Sequence, residues 1–192
     1  MKKEGAVRTL PEGNYVYGED GVWNTPTGRL QFYQESIPLD TDYGQKLDFM
    51  KERLPYWEPP MEGWRDNELA KKYPFVLTSE RSKFKVHTQF TKTPWFFDFE
   101  AEPYVMVNPA DCEARGIADG DYIRLFNDRG TCTLRAMFND GIRPGMIVID
   151  HGWDQDQFVD GFYCDLIGYN VTPVVANSYY FDALIDMEKA NI

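Results

Sequence analysis

Long apolar runs are missing from this chain of 192 residues. A membrane-spanning helix takes about 18–20 consecutive apolar residues, and runs such as Met146–Ile149 stop far short of that. Insertion into a membrane is therefore not expected. The opening, Met1-Lys2-Lys3-Glu4-Gly5, leads into polar sequence and not into the apolar stretch of a secretion signal. Cysteine is scarce. Cys112, Cys132 and Cys164 are scattered and odd in number, which excludes a disulfide framework and the close spacing of iron–sulfur or zinc ligands; buried or half-buried thiols are expected. Cations are outnumbered, 20 Lys and Arg against 31 Asp and Glu, and the resulting net charge of -11 argues against nucleic acid or an anionic membrane surface as partner. No nucleophile beside a base, and no carboxylate pair at a defined spacing, can be picked out.

What the chain does have is core material. Hydrophobic residues make up 43% and aromatics 16%, enough for one domain with a real core plus an extension. Its positive charge is unevenly placed. Between Lys71 and Lys92 stand six cations (Lys71, Lys72, Arg81, Lys83, Lys85, Lys92) and one anion, Glu80, which leaves 20 - 6 = 14 cations against 31 - 1 = 30 anions elsewhere. One basic island in an acidic chain has two readings: a solvated basic face, or a strip that holds a compact anion such as a phosphate-bearing cofactor.

Residues 1–70 read as an irregular arm or linker and 71–192 as a β-domain. In the arm, Asn24-Thr25-Pro26-Thr27-Gly28 is a turn, because Pro fixes φ and Gly admits positive φ. It leads into Arg29-Leu30-Gln31-Phe32-Tyr33, whose alternation predicts a short strand. Prolines and charges come next, with a short helix expected near Asp42–Arg53 and with Tyr56, Trp57 and Trp64 needing burial somewhere. From Tyr73 the texture changes. Strands are predicted at Phe75–Thr78, Tyr104–Val107, Tyr122–Phe126, Thr131–Phe138 and Met146–Asp150. A short helix over Ala110–Arg115 takes Asn108 as N-cap and Pro109 as first residue, and stops at Gly116. Turns fall at Asp119-Gly120-Asp121, Asn127-Asp128-Arg129-Gly130 and Ile142-Arg143-Pro144-Gly145. Short, closely spaced strands with Gly/Pro turns predict a small β-barrel or sandwich.

The ordered series Asn108-Pro109-Ala110-Asp111, Arg115-Gly116-Ile117, Asp119-Gly120-Asp121, Asn127-Asp128-Arg129-Gly130, Arg143-Pro144-Gly145 and His151-Gly152-Trp153 resembles the last domain of the molybdopterin oxidoreductases, the dimethyl-sulfoxide-reductase family. Upstream, Tyr73–Ser79, Arg81, His87-Thr88-Gln89 and Pro94-Trp95 resemble that domain's opening strand and loop, and Asn24–Tyr33 resembles the segment before it. The resemblance implies a mainly β fold, a double-psi β-barrel of the aspartate-decarboxylase type with short helices. It also implies a role: binding one molybdopterin guanine dinucleotide of a molybdenum- or tungsten-bis-pterin oxidoreductase.

By that resemblance the loop Thr78–Gln89 touches cofactor, through Thr78, Ser79, Arg81, Lys83, His87, Thr88 and Gln89. A pyrophosphate wants cations and backbone N–H groups, and polar rings want paired donors and acceptors, so the basic island gains an explanation. The other reading of His87 is a satisfied structural histidine. Gly152 and Trp153 lie near the cofactor by resemblance, with Trp153 as core filler the other reading. Asn170, in Gly168-Tyr169-Asn170-Val171-Thr172, matches the family's ring-reading Asn, with Asn177 as rival; Tyr179-Tyr180-Phe181-Asp182 offers the family's terminal aromatics without its Lys. The family's metal ligand and iron–sulfur cysteines lie in domains that cannot be identified here. The chain is therefore expected to act with the remaining domains of a catalytic subunit, with an iron–sulfur subunit in the full complex, and to hold little cofactor and catalyse nothing by itself. Two other functions use related barrels. A self-processing decarboxylase needs a Gly-Ser cleavage site, and no Gly-Ser dipeptide occurs. A stand-alone double-psi adaptor module is opposed by the family-like prelude Gly21–Tyr33.

Overall fold

The computed structural model describes residues 21–35, 48–64, 66–169, 171, 177 and 182–192. The chain divides between Trp57 and Glu58 into two compact units.

In the first unit the turn at Asn24–Gly28 forms as its residues dictate. The Trp23 amide donates to the Gly28 carbonyl (3.1 Å), and Gly28 takes the positive φ of 65° that closes it. The strand expected at Arg29–Tyr33 does not form; these residues are bends and extended backbone. Alternation specifies a strand only where a neighbouring strand covers one face. Here Leu30 and Phe32 stay exposed and the segment pairs with no strand among the described residues. Of the helix expected near Asp42–Arg53, residues 42–47 lie outside the described residues, and the rest is a single 3-10 turn at Lys51–Arg53. Asp48 opens that turn, its side chain accepting from the Met50 amide at 3.0 Å.

The second unit is a closed double-psi β-barrel. Its strands are β1 (Phe75–Glu80), β2 (Tyr104–Val107), β3 (Tyr122–Phe126), β4 (Thr131–Phe138), β5 (Met146–Asp150), β6 (Asp160–Gly161) and β7 (Ala183–Lys189), with one helix, α1 (Pro109–Glu113). Hydrogen bonding runs β2-β5-β1-β7-β3-β4 and returns from β4 to β2, so six strands close the barrel, and β6 is added outside on β4. Two pairs are parallel, β1 with β5 and β2 with β4. Inward positions fill the interior: Leu77, Val105, Val107, Ile123, Leu125, Leu134, Ile147, Ile149, Ile185 and Met187 are each at most 2% exposed. At about 1.5–3 kcal/mol per buried aliphatic side chain, this layer is what holds the barrel shut.

Local chemistry sets the corners. Asn108 caps α1, its side chain accepting from the Ala110 amide with Pro109 in the first turn. Asn127 closes the β3–β4 hairpin by accepting from the amides of Arg129 (2.9 Å) and Gly130 (3.3 Å). Gly116 takes the positive φ that ends the helical turn. Strand β7 is not among the predicted strands. Ala, Leu, Met, Glu and Lys are good helix formers, and pairing with β1 and β3 overrides that preference.

Residues ahead of β1 are tied down by side chains of the barrel. Asp182 accepts from three successive amides, Met61 (2.5 Å), Glu62 (2.9 Å) and Gly63 (2.6 Å). Arg129 grips Glu62 through both terminal guanidinium nitrogens, at 2.5 and 3.0 Å. Trp64 is half-buried in this strap, while Tyr56 and Trp57 of the first unit are exposed.

Candidate functional site

β1 and β5 run parallel in register, Ser79 beside Ile149 and Glu80 beside Asp150. Their chains therefore leave the barrel at the same end. The loop after β1 and the turn after β5 enclose a cavity of about 350 Å³ lined by Leu77, Thr78, Ser79, Arg81, His87, Thr88, Ile149, His151, Gly152, Tyr163 and Ile167. One wall is apolar and the other carries hydroxyls, two imidazoles and a guanidinium, the mixture expected where a flat polar ligand is oriented.

Close backbone packing draws the two loops together. Gly152, at φ 96°, lies against the His87 carbonyl so tightly that a Cβ would sit 2.7 Å from the carbonyl carbon. His87 is itself at φ 53°, a left-handed conformation unusual outside glycine. The rings of His87 and His151, the only two histidines of the chain, lie 5.7 Å apart. His151 Nδ1 meets the Glu80 carbonyl oxygen at 2.5 Å, which orients the second ring. Tyr163 completes the wall. Burial pushes its phenol up to about 12, so it stays a protonated donor at neutral pH.

Six of the predicted site residues thus share one cavity: Thr78, Ser79, Arg81, His87, Thr88 and Gly152. Lys83 and Gln89 are exposed and lie outside its lining. Trp153 is core: 1% exposed, packed edge-on against Phe96 with ring centroids 5.4 Å apart, its indole N–H donating to Asp150 at 2.7 Å. Asn170 and Tyr179–Phe181 lie outside the described residues, and Asn177 is exposed. Sequence reasoning did not single out the apolar wall, Leu77, Ile149 and Ile167, or Tyr163. A strand residue that lines a cavity looks the same in sequence as one that fills the core.

The basic island is divided by the fold. Lys71 pairs with Glu68, Lys72 with Asp128, and Lys92 with Asp154 and Asp156. Lys85 is buried, held by Asp150 and by Glu100 at 3.0 Å. Among the described residues no carboxylate pairs with Arg81 or Lys83. Of the two cations left over, Arg81 lines the cavity and Lys83 is exposed outside its lining. The connection from β1 to β2 also carries exposed aromatic rings: Phe84 stacks on Phe99 at 4.8 Å, and Phe90, Trp95 and Phe99 are 48–60% exposed.

The family model described as "Molydopterin dinucleotide binding domain" matches residues 75–182. A putative dimethyl sulfoxide reductase catalytic subunit of Halobacterium salinarum is 30% identical over 192 residues, which cover 99% of this chain and 22% of that protein. A dimethyl sulfoxide/trimethylamine N-oxide reductase of Cereibacter sphaeroides is 33% identical over 163 residues, 78% of this chain and 19% of the relative. Among solved structures, acetylene hydratase from Pelobacter acetylenicus superposes with a TM-score of 0.70 at 19% identity, over 92% of this chain and 25% of its own; that likeness concerns the fold. The chain spans about a fifth to a quarter of the length of these proteins. With the family model covering the barrel from β1 to the start of β7 and the relatives matching along most of the chain, the chain belongs to the molybdopterin dinucleotide-binding domains of the dimethyl-sulfoxide-reductase family.

Proposed function

We propose that this chain holds one molybdopterin guanine dinucleotide of a molybdenum- or tungsten-bis-pterin oxidoreductase, as the C-terminal part of a catalytic subunit, and contributes no catalytic group of its own. The observation that carries this reading is the convergence of Thr78, Ser79, Arg81, His87, Thr88 and Gly152 on one cavity in a member of this family. The donor set fits the group. Arg81 offers a fork of N–H donors that stays charged at any working pH and suits phosphate oxygens. His87 and Thr88 offer ring-edge partners on the pterin side, and the hydroxyls of Thr78 and Ser79 offer both donor and acceptor. Lys83, exposed on the same loop, would add a second cation for the phosphates, and Gln89 and the Gly152-Trp153 turn belong to the same two loops. Asn170 belongs to the reading as the residue that meets a ring edge. When bound, the pterin dithiolene would ligate the metal and tune its redox chemistry. The residues of this chain bind, orient and exclude water.

The partners come from the same reading: the remaining domains of the catalytic subunit and an iron–sulfur subunit in the full complex, in an enzyme of anaerobic respiration. Exposed Phe90, Trp95 and Phe99 on the connection after β1 support a domain that works against another protein surface. A titration of the chain with guanosine diphosphate, followed by NMR, tests the proposal. Shifts should map to Thr78–Thr88 and Gly152. Arg81→Ala should weaken binding about tenfold or more, since a hydrogen bond to a charged group contributes roughly 1.5–3 kcal/mol. Shifts on another face, or unchanged binding in Arg81→Ala, would refute the assignment.

A further inference from the structure

The cavity is bounded by two loops, one leaving β1 and one leaving β5, and a buried charged side chain joins them. The side chain of Lys85 is 1% exposed. Its ammonium bridges Asp150, the last residue of β5, and Glu100, which it meets at 3.0 Å. It also lies over the Trp153 ring, 4.3 Å from the centroid. Both carboxylates have further donors. Ser82 donates to Glu100 at 2.6 Å, and the Trp153 indole donates to Asp150 at 2.7 Å. Lys85 itself does not line the cavity.

The turn directly after Lys85 presents two cavity residues. The Gln89 amide closes it on the Val86 carbonyl at 3.0 Å, with His87 and Thr88 between them. Thr91, 2% exposed, holds the far stem: its hydroxyl donates to the Thr88 carbonyl at 3.2 Å, and its own carbonyl accepts from Gln157 at 2.9 Å. Burying an ammonium with two carboxylates costs several kcal/mol in desolvation, and apolar replacements of such clusters are often as stable or more so. This cluster is not even fully satisfied, since Asp150 Oδ1 has no hydrogen-bond partner among the described residues. Stability alone does not account for it.

We propose that Lys85 is a positioning residue: by clasping Asp150 and Glu100 it fixes the β1 loop on the β5 turn and so sets His87 and Thr88 against His151 and Gly152. The placement rests on the dinucleotide-site reading for its purpose, and not for its test. Three variants of the full chain separate the possibilities: Lys85→Arg, Lys85→Met, and Lys85→Met combined with Glu100→Gln and Asp150→Asn, which removes all three charges together. The chain's two imidazoles give two resolvable NMR signals. In the folded triple variant both should move, and exchange of the Gln89 amide should quicken about tenfold or more while the Leu125 amide in β3 keeps its protection. Lys85→Arg should restore both readouts toward wild type. Unmoved imidazole signals with Gln89 protection within twofold would overturn the proposal. Failure of the triple variant to fold would also overturn it, by making the cluster a general folding element. Guanosine diphosphate shifts confined to another face of the wild-type chain would sink the dinucleotide reading and leave the Lys85 result standing.

Discussion

Gly152→Ala offers the sharpest test of how the two loops meet. An added Cβ falls within the van der Waals envelope of the His87 carbonyl, 2.7 Å from its carbon and 3.2 Å from its Cα. The obstacle is backbone, so no flexible side chain can swing aside. A second cost comes from Gly152 itself, at φ 96°, where an L-residue is strained by about 1–3 kcal/mol. Overpacking against rigid neighbours adds roughly 1–3 kcal/mol. Restricting the unfolded chain returns about 0.4–1 kcal/mol. The net destabilisation is then on the order of 1–5 kcal/mol, which for a domain of this size is a fall in Tm of roughly 2–20 °C at about 2–4 °C per kcal/mol. Gly116→Ala is the matched control: it has φ 63° and open space around the added Cβ, so it carries the backbone cost without the collision. Calorimetric scans of the two variants, with the His87 imidazole signal as local reporter, decide the matter. Gly152→Ala should lose clearly more stability than Gly116→Ala and should shift His87. Equal losses, or an unmoved His87 signal, would refute the claim that this contact seats the loop.

The remaining expectations concern other parts of the fold. Asp182→Ala strips the acceptor from the amides of Met61, Glu62 and Gly63; urea unfolding should show a loss of about 1–3 kcal/mol, and an unchanged midpoint would show the strap to be unimportant. Cys112 and Cys132 are fully buried, and burial pushes both thiols up, that of Cys112 to about 11. A thiol reagent at pH 8 should therefore label only exposed Cys164 quickly in the native chain and all three cysteines in denaturant. Lys72 and Tyr73 hydrogen-bond Asp128 and hold its carboxyl below its ordinary 3.8. A depressed carboxyl stabilises above that ordinary value and ceases to as pH falls through its lowered one. The stability gap between wild type and Asp128→Asn should accordingly narrow on acidification below about pH 4, and a constant gap would contradict it.

Much of the barrel was legible because its signals are local. The strands Tyr104–Val107, Tyr122–Phe126, Thr131–Phe138 and Met146–Asp150 combine apolar or alternating residues with turn residues at their ends, and Asn108-Pro109 announces its helix by cap chemistry alone. Arg29–Tyr33 and β7 fail in opposite directions for one reason. A strand is fixed by its neighbours, so an alternating segment without a partner stays irregular, and a helix-favouring segment with two partners becomes a strand. The cavity was legible where polar residues cluster in sequence, from Thr78 to Thr88. Its apolar wall was not, because Leu77, Ile149 and Ile167 differ from core residues only in where the barrel end places them. Trp153 illustrates the converse. Adjacent to Gly152 in sequence, it points into the core and supports the site through Asp150.

Charge gives the basic island its final form. Six cations in a row of twenty-two residues suggest a broad positive surface, yet the fold pairs four of them with carboxylates of its own. Among the described residues Arg81, which lines the cavity, and exposed Lys83 remain without a carboxylate partner. In a chain of net charge -11 the surrounding field opposes an anionic ligand, but at physiological salt the screening length is about 8 Å, so distant carboxylates count for little against a guanidinium in hydrogen-bond range. On the proposed reading, what would select the ligand is the arrangement in the cavity: one planar cation, two imidazoles and paired hydroxyls, on loops that Lys85 and the Gly152–His87 contact would hold in register. An acidic protein can accept a phosphate-bearing group on these terms because the attraction is local and geometric, and neutralising the rest of the island keeps it so.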